Sequence, residues 1–136
     1  VQRDKRFTRI GLGVYALTDY LDKLPKEEQP KSEQKKIERK HSIIQGMLLE
    51  IGNNKKEVSG TYTNDKGWIF HGKKLGNLST IEHIPYFTYK DIINNSARFI
   101  DVIWFNERRF PFSFFEVEHS TDFRDALIKF CELQDF

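Results

Sequence analysis

Two stretches decide how this chain reads: Ala97-Arg98-Phe99-Ile100-Asp101-Val102-Ile103-Trp104-Phe105, and then Phe112-Ser113-Phe114-Phe115-Glu116-Val117-Glu118-His119. The first is nearly unbroken apolar sequence, the pattern of a strand covered on both faces. The second alternates more and predicts a partner strand, with Asn106-Glu107-Arg108-Arg109 as the hairpin loop between them. A carboxylate in a buried strand is costly unless it is paired or binds a metal. Here Asp101, Glu116 and Glu118 fall on two adjacent strands. Side chains alternate along a strand, so Glu116 and Glu118 are expected on one face, with Asp101 brought beside them by the hairpin. Arg98 at the start of the first stretch apart, neither strand carries a lysine or arginine to neutralise them, which points to a divalent cation. Oxygen ligands suit Mg²⁺, Mn²⁺ or Ca²⁺. The same alternation also describes a half-exposed antiparallel strand, and spacing alone leaves both readings open.

Working outward, a helix is expected from about Asp122 to Gln134, burying Phe123, Ala126, Leu127 and Phe130, with Thr121 as its cap. Upstream, Ser32 to Ile51 reads as a strong helix. Its apolar stripe is Ile37, Ile44, Met47, Leu48 and Ile51, and Gly52-Asn53-Asn54 follows as the stop. Strands are expected over 57–63 and 68–71, joined by the turn Asn64-Asp65-Lys66-Gly67. Residues 75–91 are ambiguous; Leu78-Ser79-Thr80-Ile81 suits a short strand and Pro85 interrupts the segment. Arg6 to Leu17 reads as two short strands around a glycine turn, and an isolated hairpin of that kind needs support from elsewhere. A polar linker with Pro25 and Pro30 covers residues 22–35.

Composition bounds the function classes. The 136 residues suit one domain, or one domain with an appendage. Aromatic residues are 14% and charged residues 31%, with a mean hydropathy of −0.61, which speaks against a disordered chain and a membrane-spanning one. The single cysteine, Cys131, forms no intrachain disulfide and no zinc site, so a reducing cytoplasmic compartment is expected. Net charge is +2, with 11 Lys/Arg against 7 Asp/Glu in residues 1–40 and 11 against 13 in residues 41–136. A mildly basic front end is weak support for a polyanionic partner.

The central strands, together with His41-Ser42-Ile43-Ile44-Gln45-Gly46-Met47-Leu48-Leu49-Glu50-Ile51-Gly52 and Ala126-Leu127-Ile128-Lys129-Phe130, resemble the core of the PD-(D/E)xK, or restriction-endonuclease-like, nuclease superfamily. The likeness is greatest to bacterial members whose second motif reads FEVEHST, and it covers about residues 36–134. Residues 6–17 resemble the wing of a winged helix-turn-helix. The resemblance implies an α/β fold with a restriction-endonuclease-like core: helix, central mixed or antiparallel sheet, helix, preceded by a β-hairpin. The domain limits that follow are 1–21 for the wing-like remnant, 22–35 for the linker and 36–136 for the nuclease-like domain. That domain reads as lacking its last strand, as in a piece of a longer protein.

By position, the resemblance implies that Asp101 and Glu116 bind the catalytic metal, Mg²⁺ with Mn²⁺ as a substitute. Glu118 stands where most of the superfamily has lysine, and is expected to accept a proton from the attacking water or to hold a second metal. Gln45 matches the helix motif and suits either orientation of water or phosphate, or a surface amide; it shares a helix face with His41. Lys129 matches a basic position, where it either restores the missing positive charge or is a surface lysine. Glu50 fits a helix-end surface position better than a ligand. His119, Ser120 and Thr121 are not a hydrolase triad, because adjacent strand residues cannot converge and no nucleophile elbow surrounds Ser120. The expected activity is metal-dependent endodeoxyribonuclease of restriction type, acting on double-stranded DNA, with a homodimer open to it and no membrane partner. The alternative is a nuclease-fold module that binds DNA or protein without cutting.

Overall fold

In the computed structural model, residues 7–11, 14–17 and 33–134 are described. The chain divides into two units, Val1–Ile37 and Glu38–Phe136. In the first, β1 (Phe7–Gly11) and β2 (Val14–Leu17) pair antiparallel, with an irregularity between Arg9 and Gly11. The expected turn glycine Gly13, most of the expected linker and the Ser32 cap lie outside the described residues. Helix α1 runs Glu33–Asn53, so the last three positions assigned to the linker are helical.

The second unit continues with β3 (Gly60–Thr63), β4 (Ile69–Phe70), β5 (Lys73–Lys74), α2 (Leu75–Leu78), α3 (Lys90–Asn95), β6 (Val102–Phe105), β7 (Pro111–Phe115) and α4 (Arg124–Leu133). The architecture is mixed α/β around a small antiparallel sheet of order β3-β6-β7. β6 is central and buried at every position, as its apolar run requires. On one face Val102 and Trp104 pack with Leu49, Phe70 and Leu75. On the other, Ile103 and Phe105 pack with Tyr62, Phe87, Ile93, Ala97, Ile100 and Leu133.

Several local expectations are corrected. The 97–105 strand is shorter, because Ala97–Phe99 form a 3₁₀ turn and Asp101 sits just before β6. The 112–119 strand ends at Phe115, leaving Glu116 and Glu118 beyond the sheet. The 57–63 strand starts only at Gly60. The 68–71 strand shrinks to β4, which pairs with β5 in a separate ribbon; His71 and Gly72 take positive φ between them (47° and 78°), the left-handed geometry of a tight hairpin turn. Residues 75–78 are helical, so the strand suggested at Leu78 is absent, and α3 was not foreseen. The 106–109 hairpin loop is present: Asn106 Oδ1 accepts the Arg108 and Phe110 N–H groups at 3.0 and 3.1 Å. α4 buries Ala126 and Leu133, while Phe123 and Leu127 are exposed, and its N-cap is Phe123 in place of Thr121.

The largest correction concerns α1. Its expected apolar stripe is mostly outside: Ile37, Ile44, Met47 and Ile51 are all exposed. The buried face is Ser42, Gln45, Gly46, Leu49 and Gly52. The reason is close approach. A Cβ on Gly46 would lie 2.2 Å from Phe70 Cγ, and one on Gly52 would lie 2.4 Å from Trp104 Nε1. Two glycines six residues apart thus let bulky aromatics sit against the helix backbone, where Trp104 Nε1 donates to Leu48 O at 3.1 Å. Asn53 completes the seam, accepting from Thr61 Oγ1 at 2.7 Å and donating to Leu78 O at 2.8 Å.

Candidate active site

The sheet end nearest Asp101 collects ionisable side chains from five segments. β3 leaves the sheet there, and Asn64 N–H donates to Asp101 O at 3.4 Å. That strap brings the following residue, Asp65, to the same end as Asp101. α1 passes alongside and contributes His41 and Gln45, four residues apart and therefore on one helix face. The segment after β7 contributes Glu116, and α4 contributes Lys129.

The bonding is specific. Asp101 N–H donates to Glu116 Oε1 at 3.1 Å, and Val117 N–H donates to Asp101 Oδ2 at 2.7 Å. Each carboxylate therefore holds the other segment's backbone. Lys129 Nζ donates to Glu116 Oε2 at 2.9 Å and to Phe99 O at 3.3 Å. On the far side His41 Nε2 lies 3.0 Å from Asp101 Oδ2. Gln45 Nε2 donates to Asp65 Oδ2 at 2.8 Å. The His41 ring is flanked by the Trp68 ring edge-on at 5.1 Å and by His119 at 5.4 Å.

Burial sets the electrostatics. Asp101 is 6% exposed, and so is the Glu116 side chain. Loss of water raises the Glu116 pKa above the usual carboxylate value, against the opposing hydrogen bond from Lys129. The contact with Asp101 raises the His41 pKa above that of a free imidazole, against an opposing effect of burial. His41, Asp65 and Asp101 each offer one ligand atom, and these atoms lie within 4.8 Å of one another.

The expected three-carboxylate convergence is therefore corrected. Asp101 and Glu116 do meet, but Glu118 is exposed, because β7 ends before it and the alternation it relied on stops. The strands themselves supply no cation beside these acids; Lys129 arrives from α4, so of the two readings left open for it the structure has the one in which its charge reaches the carboxylates. Gln45 is fully buried on Asp65 and is not a surface amide. Glu50 is exposed, as a helix-end glutamate should be.

With this geometry in place, comparison with known proteins is decisive about kinship. The family model of the type II restriction enzyme NmeDI C-terminal domain matches residues 23–136. The chain belongs to this family. Type II restriction enzyme NmeDI of Neisseria meningitidis serogroup C is 31% identical over 103 residues, a stretch covering 73% of this chain and 29% of that enzyme. This chain thus matches less than a third of the length of that relative. No solved structure matches. Within a restriction-enzyme family domain, Asp65 was the residue the sequence hid: an acid inside Asn64-Asp65-Lys66-Gly67 looks like ordinary turn chemistry. His41 was visible only through its spacing from Gln45. Among the described residues no helix is long and apolar enough to cross a membrane.

Proposed function

We propose that this domain is the DNA-cutting part of a restriction endonuclease with a PD-(D/E)xK-type core, hydrolysing phosphodiester bonds of double-stranded DNA at Asp101, Glu116 and Lys129. The observation that carries the reading is the cross-bonded Asp101–Glu116 pair with the Lys129 ammonium 2.9 Å from Glu116. An aspartate, a glutamate and a lysine thereby share one site, although the lysine comes from α4 and not from the position of Glu118. This placement answers the difficulty that glutamate, unlike lysine, offers no positive charge to a phosphate.

The residues suit a hard divalent cation. Two nearly buried carboxylates stand beside the ammonium of Lys129, and burial, with a smaller contribution from Asp101, holds the Glu116 pKa above the usual carboxylate value, a penalty that a bound cation would offset. Asp101 and Glu116 would hold Mg²⁺, which supplies Lewis acidity at the scissile phosphate and favours loss of a proton from the attacking water. Lys129 stabilises the negative charge that develops on the phosphate oxygens. Glu118, exposed two residues beyond Glu116, is the carboxylate left to take the proton from water. The water oxygen then forms the new bond to phosphorus as the bond to the leaving oxygen breaks.

The test is cleavage of duplex DNA with Mg²⁺ by this chain within its complete reading frame, beside Asp101→Ala. Cleavage by the parent and loss in the variant is the expected result; equal cleavage by both removes the proposal. A second reading, a module that binds DNA without cutting, is favoured by the outward position of Glu118. It predicts DNA binding that is indifferent to divalent ions and absence of cleavage.

A further inference from the structure

Two cavities adjoin along the segment between α2 and α3, one of about 330 Å³ and one of about 490 Å³, each within the size range of ligand clefts. His83, Ile84 and Tyr86 line both, so the two form one groove. Lys66 and Arg98 stand at one end of it, Arg108 and Arg109 at the other. Arg98 precedes β6 and the arginine pair follows it. The strand between them is about 10 Å long, at about 3.3 Å per residue.

The charge of this groove runs against that of its surroundings. Residues 41–136 hold 11 Lys/Arg against 13 Asp/Glu, yet four cations gather here. Among the described residues none of the four takes part in an ion pair. Lys66 Nζ donates to the backbone carbonyl of Glu82, and the Arg98 guanidinium lies over the Phe99 ring at 4.6 Å. Glu82 is the one carboxylate among the lining residues, and its Oε1 lies 4.0 Å from His83 Nε2. Uncompensated cations at both ends of a groove attract an extended polyanion. Aromatic rings stand between them. Tyr86, where the cavities meet, is 75% exposed, and Phe110 beside Arg109 is 49% exposed. Rings left in water beside cations offer stacking faces to unpaired bases, whereas a duplex keeps its bases stacked inside. The arginine end is also preset. Arg109 takes φ 63°, the left-handed region, and its N–H donates to Asn106 O at 2.9 Å.

We propose that this groove binds a single strand of DNA, with its phosphates on Lys66, Arg98, Arg108 and Arg109 and its unpaired bases on Tyr86 and Phe110. None of these residues belongs to the Asp101–Glu116 site, and Arg108 and Arg109 lie at the opposite end of β6 from Asp101. The groove therefore stands whether or not the domain cuts duplex DNA.

The probe is a labelled strand of mixed sequence, about 16 nucleotides long and without self-complementarity, titrated into the whole chain in EDTA by fluorescence anisotropy. Four phosphate contacts at about 0.7 each predict that the logarithm of the association constant falls with that of salt at a slope of about −3. Tyr86→Ala should weaken binding at least about fivefold with the slope unchanged, and Tyr86→Phe should bind as the wild type does. Arg108→Gln combined with Arg109→Asn should make the slope shallower by about 1.4. All three side chains are exposed, and asparagine tolerates the left-handed backbone at 109. Irradiating the wild-type protein with a strand that carries iododeoxyuridine should attach it at Tyr86, a readout that needs no variant. Unlabelled single strand should abolish that attachment, and the same amount of its annealed duplex should leave most of it. The proposal is overturned if the attachment falls outside the groove, if duplex abolishes it equally, or if the folded Tyr86→Ala and arginine variants bind as the wild type does. No divalent ion is present in this assay, so its failure leaves the cleavage proposal untouched, and failure to cleave leaves this one untouched.

Discussion

Asp101 and Glu116 each accept a backbone N–H from the segment that carries the other: Glu116 Oε1 takes the N–H of Asp101 at 3.1 Å, and Asp101 Oδ2 takes that of Val117 at 2.7 Å. The exchange locks two carboxylates at the end of β6 and β7 without direct charge compensation between them. Repulsion between the two carboxylates is opposed by the Lys129 ammonium beside Glu116 and, when it is protonated, by the His41 imidazole beside Asp101.

Removing the lysine tests that balance. In Lys129→Met the Glu116 carboxylate, 6% exposed, loses its ammonium partner. Its pKa should rise further, so the acid limb of any cleavage profile moves to higher pH. Stability should fall by about 1–3 kcal/mol at neutral pH, the cost of a buried acceptor left unpaired, read by urea unfolding. An unchanged acid limb would show that Glu116 does not depend on Lys129.

The His41 shift gives a signed pH prediction in metal-free buffer. Its folded pKa is raised above the ordinary 6.5 by Asp101, so protonated His41 favours the folded state. That contribution is complete below pH 6.5 and is lost as pH rises through the raised folded value. The Tm difference between wild type and His41→Asn should therefore be largest in mildly acidic buffer and shrink toward alkaline pH. A difference that grows with pH contradicts the pairing.

The face of α1 that carries the fold can be distinguished by three substitutions. Gly46→Ala should destabilise by about 1–3 kcal/mol even though alanine favours helix, because its Cβ meets the Phe70 ring 2.2 Å away. Leu49→Ala should cost about 2–5 kcal/mol. Ile44→Gln, on the exposed stripe, should change stability by about 0.5 kcal/mol or less. Denaturant unfolding of the three gives the order directly.

These substitutions also show what the sequence made legible. The length and place of α1, the buried strand at Val102–Phe105, the hairpin to β7 and the α4 helix follow from periodicity and turn chemistry, since those are local properties. The choice of α1's buried face does not. Periodicity ranks residues by apolarity, whereas the helix docks by closeness of approach, and a glycine's value lies in the aromatic ring it admits. The site divides the same way. Asp101 and Glu116 were readable from carboxylates in apolar strands. Glu118 lies outside the expected strand because that strand ends one residue before Glu116, and Asp65 and the grip of Lys129 on Glu116 depend on long-range packing that no spacing rule encodes.

The cleavage proposal is tested most directly by single-turnover hydrolysis of duplex DNA in Mg²⁺, comparing the wild type with Glu116→Gln, a near-isosteric change that removes the charge Lys129 holds. The account predicts a rate lower by about 10²-fold or more, with the fold retained by circular dichroism. A folded Glu116→Gln protein that cuts within about twofold of the wild-type rate, a difference of under 0.5 kcal/mol in barrier, contradicts it.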